Sequence, residues 1–528
     1  MRIGIRNMLV VEKARALALK LNNPNRVLDS IPSAKQFEVK GIPLVITPHK
    51  LDEVRVLRNL GIDAPSPILH YYDWKGQYTP YEHQKETAAF LTLNQRGLVL
   101  NEIGTGKTQS SLWAADYLME IGQVKKCLIM SPLSTLERVW GDGLFTGFPH
   151  RKFEVLHGTA ERRKKLLHKQ ADFYIINHDG FNIIAEEAKG MFDLIIVDEA
   201  AVLRNPTTQR FKVFRKWMES NPSARLWLMT GTPTPNDPTD AWALAKLVNS
   251  PFLSKTYTAF REQVMMKISQ WKFVPRPESV EITKHVLQPA VRYTRDECFD
   301  LPDTIIQTRQ VELTAEQKKH YTQMLRHFVT EMAAERIAEG TITAVNEAVK
   351  IQKLIQISCG VAYGDDGQSI ELDCAPRVNL VKEVIEEAGE KVIVFVPLTG
   401  TLHMLERELS KHFTVGVVNG QVAKHQRDTI FHDFQHSKDP QVLIAHPATM
   451  AHGLTLTSAS TIVWYGPVTS NEIYVQANGR IERIGKKHVS NVIHIEATDL
   501  EHKMYERLKN KQKLQGLLLD LIQQQTNR

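Results

Sequence analysis

The sequence predicts an α/β fold made of two tandem, doubly wound parallel-sheet lobes with a small α+β module in front of them. Three observations support this prediction: short apolar runs alternate with helical patterns in two separate series, a glycine-rich loop follows the first run, and a pair of acids ends a later run. Buried parallel strands look like this because helices cover both faces of the sheet. The predicted strands occupy residues 98–100, 127–130, 153–156, 173–176, 194–197 and 226–229 in the first series and 392–396, 415–418, 442–445, 462–465 and 492–495 in the second.

The two series divide the chain into an N-terminal module, a first lobe and a second lobe, at residues 1–75, 76–295 and 296–528. A helical stretch at 315–358 is too long for a crossover, so we expect an accessory helical element at the start of the second lobe and a helix at its C-terminus. The segment 271–302 contains prolines and predicts an irregular connection. Within the module we expect helices over 11–21 and 51–60 and strands over 36–39 and 43–47.

Composition favours a large enzyme with an anionic partner. The 528 residues fit about three domains of average size, and the net charge of +7 is modestly basic. The four cysteines have no paired spacing, which predicts neither zinc nor disulfides and suits the cytoplasm of a bacterial or phage-infected cell. No apolar stretch approaches the ~18 residues of a membrane span, so we expect no anchor and no signal peptide.

A glycine-rich loop at residues 101–108, Asn-Glu-Ile-Gly-Thr-Gly-Lys-Thr, lies between a predicted strand and a predicted helix. In this context the backbone N–H groups and the helix N-terminus surround a triphosphate, the lysine reaches the β- and γ-phosphates, and the final threonine binds Mg²⁺. Asn101 departs from the usual first glycine, and a glycine turn with a surface lysine is the alternative interpretation. The residues expected to contact ATP are Gly104, Thr105, Gly106, Lys107 and Thr108.

An acidic pair follows the apolar run at residues 192–197. Asp198 and Glu199 would lie at the carboxyl end of a buried strand, the edge of a parallel sheet at which ligands bind. There Asp198 would hold hydrated Mg²⁺, and Glu199 would orient or deprotonate the attacking water. Two acids that cap the next helix are the alternative, but the phosphate loop at this spacing favours catalysis.

Further segments match one family in order along the chain. Residues 132–134, 228–233, 449–457 and 476–485 resemble motifs Ia, III, V and VI of superfamily 2 helicases. The strongest similarity is to the Swi/Snf-like double-stranded DNA translocases, and the segments that carry it are 101–108, 198–209 and 480–485. The resemblance covers residues 79–510 and implies a near-minimal motor of phage or bacterial type, with two RecA-like lobes that bind ATP and Mg²⁺ together.

The resemblance assigns residues on both lobes to one ATP site. Arg480 and Arg483 would act as arginine fingers, because guanidinium groups stay charged and fork onto phosphate oxygens. Gly453 would also contact ATP, and Gln84 would read the adenine edge, since an amide both donates and accepts hydrogen bonds. A solvated helix face is the alternative for the arginines, and a helix cap is the alternative for Gln84.

The resemblance also implies residues that link hydrolysis to DNA. Thr230, Thr232 and Gln476 would couple the lobes, with threonines bonded to backbone as the alternative. For DNA itself we expect loops at the same edge of both sheets, which grip phosphates with N–H groups and hydroxyls. The candidates are Pro132, Ser134, Asn177 with the adjacent His178, Thr399 and Thr457, with Lys486 and Lys487 as basic neighbours.

Ala201 is the departure from the family that matters most. Swi/Snf-like enzymes usually have histidine at this position, and its imidazole couples the acid pair to neighbouring motifs. Alanine cannot form a side-chain hydrogen bond, so we expect hydrolysis to survive without this coupling route. Thr230 or Gln476 would then carry more of the coupling.

These features predict a DNA-dependent ATPase motor that acts as a monomer and moves along duplex or branched DNA as ATP is hydrolysed between the lobes. A strand-separating or branch-migrating helicase is the nearest alternative. An ATP-gated DNA clamp without sustained stepping is an alternative of another class, and Ala201 is the residue that favours it. The sequence indicates neither pathway nor polarity, and residues 1–75 suit both a DNA-binding module and a structural support.

Overall fold

The computed structural model describes residues 7–234, 237–268, 273–298, 304–339, 344–363, 369–450, 456–481 and 489–510. The chain forms two compact units, the first reaching residue 298 and the second beginning at residue 299, apart from short exchanged segments at 235–237 and 267–273. Each unit contains a parallel sheet and helices, which confirms the predicted α/β class. In the described part of the chain, no helix has both the length and the apolar character needed to cross a membrane.

The N-terminal part of the first unit is a small antiparallel sheet with two helices. Its elements are β1 (Met8–Val11), β2 (Ala16–Leu19), α1 (Asn25–Ser30), β3 (Lys35–Val39), β4 (Ile42–Pro48) and α2 (Leu51–Asn59). The strand order is β1-β2-β4-β3, and a core of its own includes Leu17, Val45 and Leu57. The predicted strands over 36–39 and 43–47 and the helix over 51–60 are confirmed.

The helix predicted over residues 11–21 is wrong. A 3₁₀ turn at Glu12–Ala14 leads instead into β2, because Arg15 adopts a left-handed φ of 46° that a right-handed helix cannot continue through. The segment that follows alternates alanine and leucine, and Leu17 and Leu19 are both fully buried. That period of two is the spacing of a strand face.

The rest of the first unit is the first lobe, built on a seven-stranded sheet. Its elements are α3 (Ile68–Tyr71), α4 (Glu82–Leu93), β5 (Arg96–Val99), α5 (Lys107–Glu120), β6 (Cys127–Ser131), α6 (Asp142–Gly147), β7 (Phe153–Val155), α7 (Ala160–Leu167), β8 (Phe173–Asn177), α8 (Phe181–Ile184), β9 (Leu194–Asp198), α9 (Gln209–Ser220), β10 (Arg225–Met229), α10 (Ala241–Leu247), α11 (Tyr257–Val264), β11 (Met265–Lys267), β12 (Phe273–Pro275), α12 (Ser279–Val286), β13 (Ala290–Val291) and α13 (Arg295–Cys298).

The sheet of the first lobe has the order β13-β5-β10-β9-β6-β8-β7, and all of its strand pairs are parallel. Every strand predicted in the first series is confirmed. The stretch predicted as irregular at 271–302 contains α12 and β13 as well. Because β13 pairs with β5 through two residues only, it produces no apolar run in the sequence.

Buried polar contacts join the N-terminal sheet to the first lobe. Arg55 on α2 donates from Nε to the carbonyl of Leu93 (3.2 Å) and from Nη2 to the carbonyl of Thr92 (2.7 Å). The hydroxyls of Ser66 and Thr92 lie 2.8 Å apart in the interior. Leu51 packs in the same apolar core as the sheet of the lobe. Because the end of α4 leaves carbonyls without helical partners, these contacts stabilise that end.

The second unit is the second lobe, built on a six-stranded sheet. Its elements are β14 (Thr304–Gln310), α14 (Ala315–Glu339), α15 (Ala344–Ser358), β15 (Val361–Tyr363), β16 (Ser369–Glu371), α16 (Ala375–Ala388), β17 (Lys391–Phe395), α17 (Thr399–Leu409), β18 (Val415–Val418), α18 (Lys424–His436), β19 (Val442–Ala445), β20 (Ala459–Trp464), α19 (Asn471–Asn478), β21 (Ser490–Glu496) and α20 (Asp499–Lys509).

The sheet of the second lobe has the order β14-β21-β20-β17-β19-β18, again with parallel pairs. The five strands predicted in the second series are confirmed, and the helical stretch at 315–358 consists of α14 and α15. The edge strand β14 gives no apolar signal because most of its residues are exposed. Both sheets therefore follow from buried apolar runs, and only one edge strand of each, β13 and β14, escapes prediction.

Candidate nucleotide-binding site

The phosphate loop lies between the end of β5 and the start of α5, at the carboxyl edge of the first sheet. Gly104 and Gly106 have φ values of 89° and 83°, a region that side chains of L-residues rarely adopt. A Cβ on Gly106 would also lie 2.0 Å from Nε2 of Gln84, so glycine is required there for two reasons. A loop with successive N–H groups in such conformations can form a concave anion site.

Lys107 begins α5, and its ammonium group lies against the loop. Its Nζ donates to the carbonyls of Asn101 (2.9 Å) and Glu102 (3.0 Å). Thr108 follows on the same helical turn and is partly exposed. The positive charge and the start of the helix are therefore side by side, as a phosphate site requires.

Asn101, which replaces the usual glycine, has a structural explanation. Its side chain is buried, and its Nδ2 donates to the Thr87 hydroxyl (2.9 Å). Its Oδ1 accepts a hydrogen bond from the N–H of Tyr293 (3.1 Å). The amide therefore fixes the start of the loop between α4 and the segment after β13, which a glycine could not do.

The Gln84 side chain is hydrogen-bonded to the phosphate loop. Its Nε2 donates to the carbonyl of Thr105 (3.2 Å), and its Oε1 accepts from the N–H of Tyr81 (3.1 Å), as the helix-cap interpretation expects. A ring nitrogen of His83 lies 2.9 Å from the same Thr105 carbonyl. These contacts use half of the hydrogen-bonding capacity of the Gln84 amide, and its contact with adenine stays a prediction.

An open pocket of about 610 Å³ adjoins these residues on the first lobe. The rings of Tyr81 and His83 are stacked with centroids 5.8 Å apart, and the Tyr293 ring lies 5.9 Å from His83. Flat rings with nearby polar groups suit a planar, hydrogen-bonding ligand such as a base. The pocket is lined by Tyr81, Glu82, His83, Glu86, Arg292, Tyr293, Glu297 and Cys298.

The acid pair stands at the end of β9. Asp198 Oδ2 accepts a hydrogen bond from the indole N–H of Trp140 (3.1 Å), and Oδ1 accepts one from the N–H of Glu199 (3.1 Å). Burial raises the pKa of Asp198, and the charge of Lys107 and the Trp140 hydrogen bond partly oppose that rise. The phosphate loop and the acid pair lie at the same edge of the sheet, because β5 and β9 both run parallel to β10. The sequence gives no signal for Trp140, which comes from the chain after β6.

Thr230 follows β10, the strand between β5 and β9. It is fully buried, its N–H donates to the Val99 carbonyl (3.0 Å), and its hydroxyl accepts from the N–H of Thr232 (3.2 Å). These are backbone bonds of the kind that the alternative interpretation expects. Its position between the phosphate loop and the acids suits a relay, so the coupling role stays a prediction.

The second lobe places two of the predicted residues near the end of α19. Gln476 lies on the helix and is buried, with Nε2 3.5 Å from a carboxylate oxygen of Glu472. Arg480 lies two residues past the helix and is only 3 % exposed, so the solvated helix face is the wrong interpretation for this residue. Its carbonyl accepts from the N–H of Leu456 (3.1 Å). Arg483 and Gly453 lie outside the described residues.

Three candidate DNA contacts of the first lobe share one sheet edge. Pro132 and Ser134 follow β6, and Asn177 is the last residue of the neighbouring strand β8, opposite Ser131. Asn177 Oδ1 accepts a hydrogen bond from Nη1 of Arg163 (2.7 Å). The three residues are thus brought together as expected, and contact with DNA stays a prediction.

The two candidates of the second lobe do not share an edge, so that expectation is wrong. Thr399 begins α17 after the carboxyl end of β17, whereas Thr457 comes just before the amino end of β20. The strands are parallel, so the two ends lie at opposite edges. The Thr457 hydroxyl accepts from Nε2 of Gln435 on α18 (3.2 Å). Lys486 and Lys487 lie outside the described residues.

A phosphate loop and an acid pair on one α/β lobe, followed by a second α/β lobe, define a class of ATP hydrolases with helicase-type lobes. The SNF2-related domain matches residues 83–360, more than half of the chain, and the helicase conserved C-terminal domain matches residues 376–485. The chain therefore belongs to the SNF2-related family, and it is an ATP hydrolase of the helicase type.

Similar proteins come from viruses and from cellular organisms. Protein p41 of Acyrthosiphon pisum secondary endosymbiont phage 1 is 28 % identical over 477 residues, which cover 84 % of this chain and 99 % of p41. The ISWI chromatin-remodeling complex ATPase ISW1 of Saccharomyces cerevisiae is 25 % identical over 84 % of this chain but only 41 % of its own length. The SWI2/SNF2 ATPase core of Sulfolobus solfataricus, solved in complex with dsDNA, is 20 % identical with a TM-score of 0.40 and covers 83 % of this chain and 92 % of its own. The chain thus spans almost all of the phage protein and less than half of the yeast protein.

Proposed function

We propose that this chain is a DNA-dependent ATPase that moves along double-stranded DNA as it hydrolyses ATP. The observation that carries the proposal is that the phosphate loop follows β5 and the acid pair ends β9, two strands that flank β10 and run parallel to it, in a member of the SNF2-related family. ISW1, a chromatin-remodeling ATPase by name, supports DNA as the partner, and so does the net charge of +7.

In this proposal the first lobe binds the nucleotide. The backbone of Gly104, Thr105 and Gly106 contacts the phosphates, and Lys107 exchanges its loop carbonyls for the β- and γ-phosphate oxygens. The adenine lies in the pocket beside Gln84, where ring faces and an amide are available.

The residues at the end of β9 suit Mg²⁺. Among the described residues Asp198 accepts hydrogen bonds from one indole and one backbone N–H, so its oxygens retain lone pairs. Burial raises its pKa, which means that its anion gains from a cation. Carboxylate and hydroxyl oxygens are ligands that Mg²⁺ accepts, and Asp198 and Thr108 would supply them. When bound, the ion neutralises charge on the β- and γ-phosphates.

Glu199 is the group that acts on water. It directly follows Asp198, and its left-handed backbone, with φ 49° and ψ 50°, turns the chain out of the strand. A carboxylate in this place accepts a proton from the attacking water or orients it.

The second lobe completes the site when the two lobes close around ATP. Arg480 and Arg483 supply guanidinium groups that stay charged and fork onto phosphate oxygens as charge develops. The buried position of Arg480 fits a side chain held in one direction. Thr230, Thr232 and Gln476 transmit the closure.

DNA lies against loops of both lobes and is held by its phosphates, by a single copy of the chain. Such contacts give affinity with little sequence preference, and the affinity falls steeply as salt rises. The contact residues proposed are Pro132, Ser134, Asn177 and Thr399, which lie at or after the carboxyl ends of strands, with Lys486 and Lys487 as basic neighbours.

ATP turnover measured without nucleic acid and with single-stranded DNA, duplex DNA, forked DNA or RNA tests this proposal. We expect duplex DNA to stimulate most, and we expect Lys107→Ala to lose both the basal and the stimulated rate. Stimulation by RNA and not by DNA would contradict it. Displacement of a third strand from intact duplex then separates a motor from an ATP-gated clamp, and unwinding of a fork separates a strand-separating helicase from a motor.

A further inference from the structure

His178 contacts the backbone of the acid pair from the end of β8, which is two strands away from β9 in the sheet. β8 ends at Asn177, and His178 begins the 3₁₀ turn that ends at Gly180. The strand order β9-β6-β8 places β6 between the two, so the imidazole reaches across the end of β6. Its Nε2 lies 2.7 Å from the carbonyl oxygen of Asp198, and the side chain is buried.

The contact with His178 fixes the peptide that carries the proposed base. A carbonyl oxygen can only accept, so Nε2 of His178 carries the proton and donates it. The carbonyl belongs to the peptide between Asp198 and Glu199, and Glu199 is left-handed at φ 49°. That conformation is strained for a residue with a side chain, so it persists only where neighbours hold it. The His178 hydrogen bond is one of these restraints.

The other side of the same turn contains a candidate DNA contact. Asn177 Oδ1 accepts from Nη1 of Arg163 (2.7 Å), and the same Nη1 donates to the Leu156 carbonyl (3.0 Å). A Cβ on Gly180 would lie 2.1 Å from that nitrogen, so the turn packs closely on the buried guanidinium. Because packed interiors transmit displacement, a shift at Asn177 also shifts His178.

Ala201, two residues after Glu199, offers the acid pair no hydrogen-bonding side chain. It is 1 % exposed, and its side chain is a methyl group that forms no hydrogen bond. An imidazole does reach the pair, but it comes from β8 and binds the backbone of Asp198.

We propose that His178 is a positioning residue that orients Glu199 and transmits DNA contact at Asn177 to the acid pair. The positioning half depends on the geometry of β8 and β9, and the transmission half rests on the proposed DNA-dependent ATPase. Loss of the donor should therefore lower the rate of the chemical step while nucleotide still binds.

The test compares His178→Phe, which keeps the ring and loses the donor, with His178→Gln, whose Nε2 can replace it. Misplacement of a catalytic group can cost up to about 10²-fold, so we expect His178→Phe to lower kcat at least about tenfold without DNA, with the Kd for ATP within about twofold. His178→Gln should recover kcat to within about threefold. His168→Phe, an exposed histidine of the same lobe, is the matched control and should match the parent.

Each outcome bears on one half of the proposal. A parental kcat in His178→Phe would overturn the positioning role. So would a general loss of kcat, ATP affinity and melting temperature in His178→Phe that His178→Gln does not recover. A lower basal kcat with the same DNA stimulation ratio as the parent would overturn the transmission role. If DNA does not stimulate the parent protein, the proposed function fails, and the basal kcat of the two variants still decides whether His178 positions Glu199.

Discussion

Each lobe has a carboxylate in its interior or at its sheet edge, Glu501 fully buried and Asp198 partly exposed, and the two are hydrogen-bonded very differently. Glu501 on α20 of the second lobe receives both Nη2 contacts of Arg377, at 2.7 and 2.8 Å, and the hydroxyl of Ser358 at 2.9 Å. The backbone N–H groups of Ala497 (2.6 Å) and Thr498 (3.2 Å) donate to it as well. Its lone pairs are therefore filled by the protein itself.

Asp198 of the first lobe is the opposite case. Among the described residues it accepts one hydrogen bond from an indole and one from the next backbone N–H. Burial raises the pKa of the Asp198 carboxyl. In the second lobe burial lowers the pKa of Arg377, but the negative charge of Glu501 raises it, and the pKa of Arg377 lies above its ordinary value. A buried carboxylate such as Glu501, whose lone pairs all accept hydrogen bonds, stabilises the fold. A carboxylate such as Asp198, which keeps lone pairs at a sheet edge, can accept a ligand.

The largest effect on turnover is expected at Glu199, the residue that follows Asp198. Glu199→Gln keeps the shape of the side chain and removes the base, so turnover should fall by about 10²–10⁴-fold while ATP still binds. Single-turnover hydrolysis and nucleotide binding measure the two separately. Hydrolysis at the parental rate would remove Glu199 from the chemistry.

Glu501→Gln should instead lower stability. The change leaves Arg377 buried without its counter-charge, which typically costs about 3–5 kcal/mol. Urea unfolding followed by a probe in the second lobe measures the loss. Glu506→Gln on the same helix is the control, because the exposed pair with Lys509 is worth about 0–1 kcal/mol. Equal losses in the two variants would break the comparison.

Arg480→Lys tests whether the second lobe also contributes to the chemistry. Lysine keeps the charge and loses the planar fork, so we expect DNA-stimulated turnover to fall at least about tenfold with little change in ATP affinity. Steady-state turnover against DNA concentration is the measurement. Parental turnover would exclude Arg480 from the mechanism.

The smallest effect concerns the pH dependence of stability. A carboxyl with a raised pKa binds a proton more readily when folded than when unfolded, so Asp198 lowers stability as pH rises from the ordinary carboxyl pKa through the raised value. Asp198→Asn removes this loss. Melting temperatures without nucleotide should therefore favour the variant increasingly across that window and by a constant amount above it. Asp179→Asn, which changes an exposed acid, is the control. If the melting temperature of Asp198→Asn changed with pH in the same way as that of the parent protein, the prediction would be contradicted.

Much of this comparison could be predicted from sequence. The apolar runs that form β5 and β9 are local patterns of the sequence. Both strands, and the sheet edge at which they end, can therefore be predicted. The glycines at 104 and 106 carry a backbone requirement that the sequence expresses directly.

The partners of these residues were not predictable. Trp140, His178 and Arg377 reach their carboxylate or carbonyl partners across 58, 20 and 124 residues of chain. The strand at β2 was missed because its short Ala-Leu repeat fits a helix as well, until the left-handed Arg15 decides between them. Long-range hydrogen bonds depend on tertiary packing, which no local pattern expresses.

The most direct measurement is ATP turnover and melting temperature of Asp198→Asn and Glu501→Gln side by side, at a temperature where both variants are folded. We predict that Asp198→Asn loses turnover by about 10²–10³-fold with an unchanged or higher melting temperature, because a ligand-binding charge is removed. We predict that Glu501→Gln keeps most of its turnover and melts at a lower temperature. The reverse pattern, with turnover intact in Asp198→Asn, would contradict the assignment of the catalytic site to the end of β9.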